Sequence, residues 1–297
     1  MTLSFACATR HGVRRDVAIA SMLAIAWAIG TSPGLTQPVT VDVHAHRGGA
    51  GLAPENTLAA VRNALTMGAD VIELDLHVSA DGEIMVIHDA TLERTTNGRG
   101  FVRRSPLVDL QRLDAGAWFH ARFAGERIPT LRAVLETVRT AGDGHVRLNL
   151  ETKYDPVAPP PPTEFEERVL QLVREAGLGG RVIIQSFHYA SLIRVKAVDP
   201  TIPTAALRSA RDPAPDPVAV VRAARADIYS PSARLVTREA IEALHRAGIP
   251  VVPWTVNDPA EIERLLAMGI GTLRGDGIIT DYPDRLIQML QARGLRR

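Results

Sequence analysis

Residues 71–77 read Val71-Ile72-Glu73-Leu74-Asp75-Leu76-His77. The alternation marks a β-strand, because side chains two residues apart share a face. Glu73, Asp75 and His77 point one way, and Leu74 and Leu76 the other. In a closed barrel one face of each strand looks into the interior. Two carboxylates there cannot stay charged without partners, since desolvation would neutralise them. A divalent cation is one such partner. Pairing with Arg or Lys, or a solvent-exposed polar face, are the others, and this stretch alone leaves all three open.

Working outward, strands are predicted at Val41–His46, Ile84–His88, Val146–Glu151, Val182–Gln185, Thr204–Leu207, Asp227–Tyr229, Val251–Thr255 and Gly277–Thr280. Helical apolar faces lie between them: Leu58, Val61 and Leu65; Leu131, Leu135 and Val138; Val169, Leu172 and Val173; Ile241 and Leu244; Ile262, Leu265 and Leu266; Leu286, Ile287 and Leu290. Strand–helix alternation means a parallel sheet covered by helices. With Ile84–His88 set aside as a hairpin strand, the pattern approaches eight repeats. The expected fold is an α/β (β/α)₈ TIM barrel, a single domain with a short β-hairpin/loop insertion after the second strand. Two long connections, residues 91–130 and 155–163, follow strands and therefore fall on the C-terminal face, where barrel active sites are built. The first carries the turn signals Asn97-Gly98 and Gly100. The second contains Pro156 and Pro159–Pro162, and reads as a stiff spacer.

The chain has 297 residues, 46% hydrophobic and 23% charged, which is ordinary globular composition. Aromatic residues at 4% and a formal net charge of +1 give no support to a nucleic-acid partner. The slight basicity belongs to the start of the chain. Arg10, Arg14 and Arg15 precede an apolar run, Val17–Gly30, that is shorter than the roughly 20 residues of a membrane span. This pattern predicts a cleavable signal peptide over residues 1–37 and a protein that is exported, periplasmic or secreted. Arg14-Arg15 adds a weak twin-arginine feature to a Sec-like leader. The alternative is an uncleaved tether, but no stable membrane anchor is expected. The single cysteine, Cys7, lies in the leader, so no internal disulfide forms. Residues 38–297 match the length of about 250 residues typical of one barrel.

Several strand ends carry chemistry. His46-Arg47-Gly48 closes the first strand, and Pro54-Glu55-Asn56-Thr57 opens a helix that Asn56 or Thr57 can cap. An imidazole and a guanidinium beside free helix amides suit a phosphate. Gly49-Ala50-Gly51 loosely matches a dinucleotide fingerprint, with Glu73 or Asp75 to hold a ribose, but Pro54 occupies the third glycine position. Glu151 and Lys153 share a face of their strand. Glu151 can supply a third oxygen ligand for a hard cation such as Ca²⁺ or Mg²⁺, with Lys153 on the phosphate; a Glu151–Lys153 ion pair without metal is the simpler reading. Lys153 and Lys196 are the two lysines among 34 basic residues. His88-Asp89 ends the hairpin strand, and His46 with His88 suits general acid–base work near neutral pH. His44 is expected to pack in the interior. His120, His145, His188 and His245 are expected to lack supporting partners, and Asp281 to cap the last helix. Trp254 can wall a glycerol moiety or belong to the core.

Taken together these pieces resemble the glycerophosphodiester phosphodiesterase family. The resemblance rests on His46-Arg47-Gly48, Pro54-Glu55-Asn56-Thr57, Glu73-Leu74-Asp75, Asp81-Gly82, His88-Asp89 and Thr96-Asn97-Gly98. It continues through Ile128-Pro129-Thr130-Leu131, Glu151-Thr152-Lys153, Gln185-Ser186-Phe187, Trp254-Thr255-Val256-Asn257 and Thr280-Asp281-Tyr282-Pro283. It implies a TIM barrel that hydrolyses glycerophosphodiesters to sn-glycerol 3-phosphate and an alcohol. His46 and His88 would be the acid–base pair. Glu73, Asp75 and Glu151 would hold one divalent cation, Ca²⁺ or Mg²⁺. Arg47 and Lys153 would contact the phosphate, with Glu55 and Trp254 as further substrate contacts. The expected partner is a small-molecule phosphodiester. Two alternatives are a lysophospholipase D-type enzyme on the same fold, hinted at by Trp118, Phe119 and Phe123, and a non-catalytic phosphate-ester binding module.

Overall fold

The computed structural model describes residues 40–141, 144–212 and 216–296. The leader read from residues 1–37 lies outside them. Strands follow in the order β1 (Asp42–Ala45), β2 (Val71–Val78), β3 (Ile84–Val86), β4 (Arg147–Thr152), β5 (Val182–Ser186), β6 (Thr204–Arg208), β7 (Ile228–Pro231) and β8 (Gly277–Thr280). They form one sheet in the order β7-β6-β5-β4-β2-β1-β8, parallel throughout, with β3 antiparallel to β2. Helices cover it: α1 (Leu58–Met67), the short α2 (Leu107–Leu110), α3 (Leu131–Thr140), α4 (Phe165–Glu175), α5 (Tyr189–Val198), α6 (Pro217–Ala223), α7 (Arg238–Arg246), α8 (Pro259–Met268) and α9 (Pro283–Ala292).

Between β7 and β8 the predicted strand Val251–Thr255 is not a regular strand, yet it closes the barrel. Pro250 and Pro253 have no N–H to give and interrupt a continuous ladder. The remaining amides pair on both sides. Val252 N–H donates to Tyr229 O (2.9 Å) and Trp254 N–H to Pro231 O (3.0 Å). On the other edge Ile279 N–H donates to Pro253 O (3.0 Å) and Val256 N–H to Ile279 O (2.9 Å). Its bridges to Tyr229 and Ser232 are parallel. The segment therefore acts as the missing stave, and the fold is the TIM barrel expected.

Strand alternation divides the apolar residues into two sets. Ile184, Ala206, Tyr229, Val251 and Ile278 belong to the main core beneath the helices, whereas their neighbours Ile183, Ala205, Ile228, Val252 and Ile279 form a separate cluster. The second set lies one residue out of phase, as the interior face of a closed barrel requires. Leu74 and Leu76 of β2 join the main core, and Glu73 and Asp75 take the opposite face.

The insertion after β2 is larger than the hairpin alone. Residues 79–130 enclose their own small core of Met85, Ile87, Leu92, Val102, Leu110, Ala115 and Ile128. The Asp114 carboxylate organises its far end by accepting N–H bonds from Gly116, Ala117 and Gly125. Helix starts are capped as their sequences suggest: Thr57, Thr130 and Thr237 each accept from the backbone N–H three residues on. Thr57 rather than Asn56 caps α1, which leaves the Asn56 side chain free for the site.

Candidate active site

The chain leaves β1 through an unusual turn. Arg47 has φ +52°, a left-handed conformation that is uncommon outside glycine, and Gly48 follows at φ +83°. A Cβ at Gly48 would lie 2.7 Å from Ala60 Cβ of α1, so only glycine fits there. Arg47 N–H donates to Glu73 Oε2 at 2.8 Å, which ties this turn to β2. Asn56, also left-handed at φ +59°, donates from Nδ2 to Asp75 Oδ2 (2.8 Å) and accepts Asp75 N–H (3.1 Å).

Glu73, Asp75 and Glu151 meet because β2 and β4 pair with Asp75 opposite Glu151. One carboxylate oxygen from each lies within 4.8 Å of the others, and all three residues are buried. Burial, with Asp75 and Glu151 nearby, pushes the Glu73 carboxyl well above its ordinary range. Burial likewise raises Glu151 to about 7, against the pull of Lys153. Burial acts in the same sense on Asp75, but Lys153, His88, Arg47 and the Asn56 bond together hold it below the usual carboxylate range. Lys153 Nζ lies 2.9 Å from Glu151 and 3.4 Å from Asp75, so the ion pair foreseen as the simpler reading does form. It leaves Glu73 without a basic side chain in hydrogen-bond contact; Gln185 Nε2 donates to it at 2.9 Å. Three clustered oxygen donors, two of them disposed to hold protons when no cation is bound, fit a hard divalent cation.

Two histidines border this cluster, each held by a carboxylate. His46 Nδ1 lies 2.6 Å from Asp281 Oδ1, and Asn257 Nδ2 donates to Asp281 Oδ2 at 2.6 Å. His88 Nδ1 lies 2.6 Å from Asp89 Oδ1. A carboxylate only accepts, so both imidazoles carry a proton on Nδ1 and turn Nε2 to other partners. His46 Nε2 is 4.0 Å from Glu73 Oε2. Burial lowers the His88 pKa, with Asp75 opposing. The Asp281 arrangement corrects the expectation that this residue caps the last helix.

Glu55, expected at the substrate, lies instead behind Arg47. It accepts from Arg47 Nη1 (2.8 Å) and from Arg94 Nη1 and Nη2 (2.8 and 2.7 Å). Arg94 also reaches Asp89 at 2.7 Å, which completes a chain Arg47–Glu55–Arg94–Asp89–His88. With its carboxylate saturated by two guanidinium groups, Glu55 positions Arg47 and has no oxygen directed at a ligand. Arg47 lines the site cavity; its Nε is buried without a hydrogen-bond partner and lies 3.6 Å from Asp75 Oδ2.

Two cavities meet at these groups. One of about 90 Å³ is lined by His46, Arg47, Glu73, Asp75 and, on its apolar side, Leu207, Trp254 and Ile279. Trp254 stands edge-on to Phe187, with its indole N–H donated to Ser230 O. The other, about 430 Å³, runs from His88 and Lys153 towards Tyr154, Asp155 and His188. Trp118, Phe119 and Phe123 pack against one another and line neither cavity. His44 is buried as expected, and burial lowers its pKa to about 4. The histidines expected to lack partners have them: His120 Nδ1 accepts Arg122 N–H at 3.1 Å, His188 stacks on Tyr154 at 4.2 Å, and His245 Nε2 lies 3.1 Å from Asp276.

A barrel whose strand ends gather three carboxylates, two carboxylate-bound histidines, an arginine and a lysine defines a class of phosphate-ester enzymes. The chain belongs to the glycerophosphoryl diester phosphodiesterase family, whose model matches residues 46–285. It is 39% identical over 254 residues to the glycerophosphodiester phosphodiesterase of Caldanaerobacter subterraneus subsp. tengcongensis, covering 85% of this chain and 98% of that one. Its fold is similar to the crystal structure of a glycerophosphodiester phosphodiesterase from Agrobacterium tumefaciens (TM-score 0.68, 34% identity, 82% and 97% coverage). It is also similar to an Oleispira antarctica phosphodiesterase solved with its product sn-glycerol 3-phosphate (TM-score 0.72, 30% identity, 85% and 97% coverage).

Proposed function

We propose that this protein hydrolyses glycerophosphodiesters to sn-glycerol 3-phosphate and an alcohol, with His46 and His88 as the acid–base pair and one divalent cation at Glu73, Asp75 and Glu151. The observation that carries this reading is the pair of histidines, each with Nδ1 bonded to a carboxylate, beside the buried three-carboxylate cluster. The bound cation would polarise a phosphoryl oxygen and offset negative charge. Arg47 and Lys153, which line the cavity, supply the remaining positive charge at the diester. One histidine takes the proton of the attacking oxygen through Nε2, and the other returns a proton to the departing alkoxide. Asp89 and Asp281 fix the tautomers and stabilise each imidazolium as it forms. The small cavity walled by Trp254 accommodates the glycerol unit. The lysophospholipid alternative loses its sequence hint, because Trp118, Phe119 and Phe123 stand away from both cavities. No helix among the described residues is long and apolar enough to cross a membrane. Export through residues 1–37 is part of the proposal, and N-terminal sequencing of the processed protein tests it.

The activity test is release of glycerol 3-phosphate from glycerophosphoglycerol by the purified protein, with EDTA and then with Ca²⁺ or Mg²⁺ restored. Metal-restored release that falls by about 10²–10⁴ in His46→Ala and in His88→Ala is the expected result. Undiminished release in EDTA or in both variants would sink the assignment.

A further inference from the structure

The two cavities share His88, Glu151, Lys153 and Phe187, so a phosphate at Arg47 and Lys153 has one branch open into each. They differ in size and in chemistry. The smaller has an apolar wall and volume for a short unit such as glycerol. The larger, at about 430 Å³, sets Tyr154, Pro156, Val157 and Phe187 beside charged groups. Its charged groups are mostly engaged. Lys153 is bound to Glu151 and Asp75, and Asp89 is held by Arg94 and His88. Asp155 is the exception. Its Oδ1 accepts Val157 N–H at 2.9 Å, and it forms no ion pair with the described residues.

The surroundings of Asp155 favour a cation. Tyr154 and His188, stacked with rings 20° apart, both line this cavity, and the Tyr154 hydroxyl is held by Glu166 at 2.6 Å. Phe187 is 44% exposed at the junction of the two cavities. Positive nitrogen is attracted both to an unpaired carboxylate and to aromatic faces. The proline run has a use in this setting. A proline at 156 biases Asp155 towards extended backbone, and proline-rich sequence through Pro162 is stiff.

We propose that the larger cavity is the subsite of the departing alcohol and selects one carrying a positively charged nitrogen, with Asp155 as the residue that reads the charge. This rests on the phosphodiesterase reading above and adds which diester that site prefers. The test compares kcat/KM of the full chain with its divalent cation for glycerophosphoethanolamine, glycerophosphocholine and the uncharged-headgroup glycerophosphoglycerol. The two charged-headgroup diesters are expected to be preferred by about tenfold, the scale of one charge-assisted contact. Asp155→Asn should abolish that preference, and Asp155→Glu should keep most of it. A preference that survives Asp155→Asn, or a wild-type enzyme that favours glycerophosphoglycerol, overturns the subsite. Failure to hydrolyse any of the three would instead overturn the phosphodiesterase reading on which it rests.

Discussion

Asp281 shows how much a single side chain contributes that its own neighbourhood in the chain does not reveal. It stands at the end of β8, where a helix follows, and local chemistry points to a cap. In the fold it accepts from His46, which is 235 residues away, and from Asn257. Burial acts to raise its pKa, but these two bonds outweigh it and keep the carboxylate ionised. Asp281→Asn should therefore lower kcat by about 10² with little change in KM, because it disturbs the imidazole rather than ligand contacts. Steady-state kinetics on a variant of unchanged circular dichroism checks this; a KM-only effect would contradict it. The residues legible beforehand were those on one strand face or at a strand end: Glu73 and Asp75, Glu151 and Lys153, His46 and His88. Period-two alternation puts the first four on shared strand faces, while His46 and His88 stand at strand ends and take their roles from the family resemblance. Arg94 is not legible as a site residue, and although Gln185 and Asn257 stand in the resembling motifs, their partners Glu73 and Asp281 depend on which strands become neighbours. Glu55 is expected at the substrate but binds Arg47 and Arg94, because nothing local announces that Arg94 will reach it.

At the scale of elements, β1 and β8 are pressed together around an interior histidine. A Cβ at Gly277 would lie 2.8 Å from His44 Nε2 and 2.9 Å from Asp42 O. Gly277→Ala should cost about 1–3 kcal/mol by overpacking, read as a lower urea midpoint at unchanged m-value. An unchanged midpoint would show that β1 can shift freely. His44 itself makes the barrel pH-sensitive. Its pKa falls from 6.5 to about 4 by burial, so the unfolded chain binds its proton first as pH drops. This group's contribution to stability is whole above pH 6.5 and declines from 6.5 towards 4, to a loss of up to ~3 kcal/mol. Urea unfolding at pH 7.5, 6 and 5, beside an NMR titration of the His44 ring, checks it; a ring that protonates near pH 6.5 would contradict the burial argument. The regular strands and the helices α1, α3, α4, α7, α8 and α9 are legible from their periods, whereas α5 and α6 show no apolar face in the sequence reading. The stave at residues 251–256 was legible as apolar sequence, but Pro250 and Pro253 made its pairing irregular. The insertion was underestimated because its core residues, Leu92, Val102, Leu110 and Ile128, are too widely spaced to show a period.

Across the whole molecule, closing the barrel is what turns separate strand ends into one site. β2 and β4 bring the carboxylates, β1 brings His46 and Arg47, and the hairpin returns His88 to the same rim. The fold class followed from counting strand–helix repeats, whereas the convergence of the rim residues required the sheet to close. The export reading rests on residues outside the described structure. The central claim is that Glu73, Asp75 and Glu151 form a divalent-cation site served by the two histidines. The most direct measurement is calorimetric titration of the metal-stripped full chain with Mg²⁺ and with Ca²⁺, repeated on Glu73→Gln and Glu151→Gln. The account predicts one cation bound per chain and at least tenfold weaker binding in either variant. Undiminished binding in both variants, or none in the wild type, would contradict it.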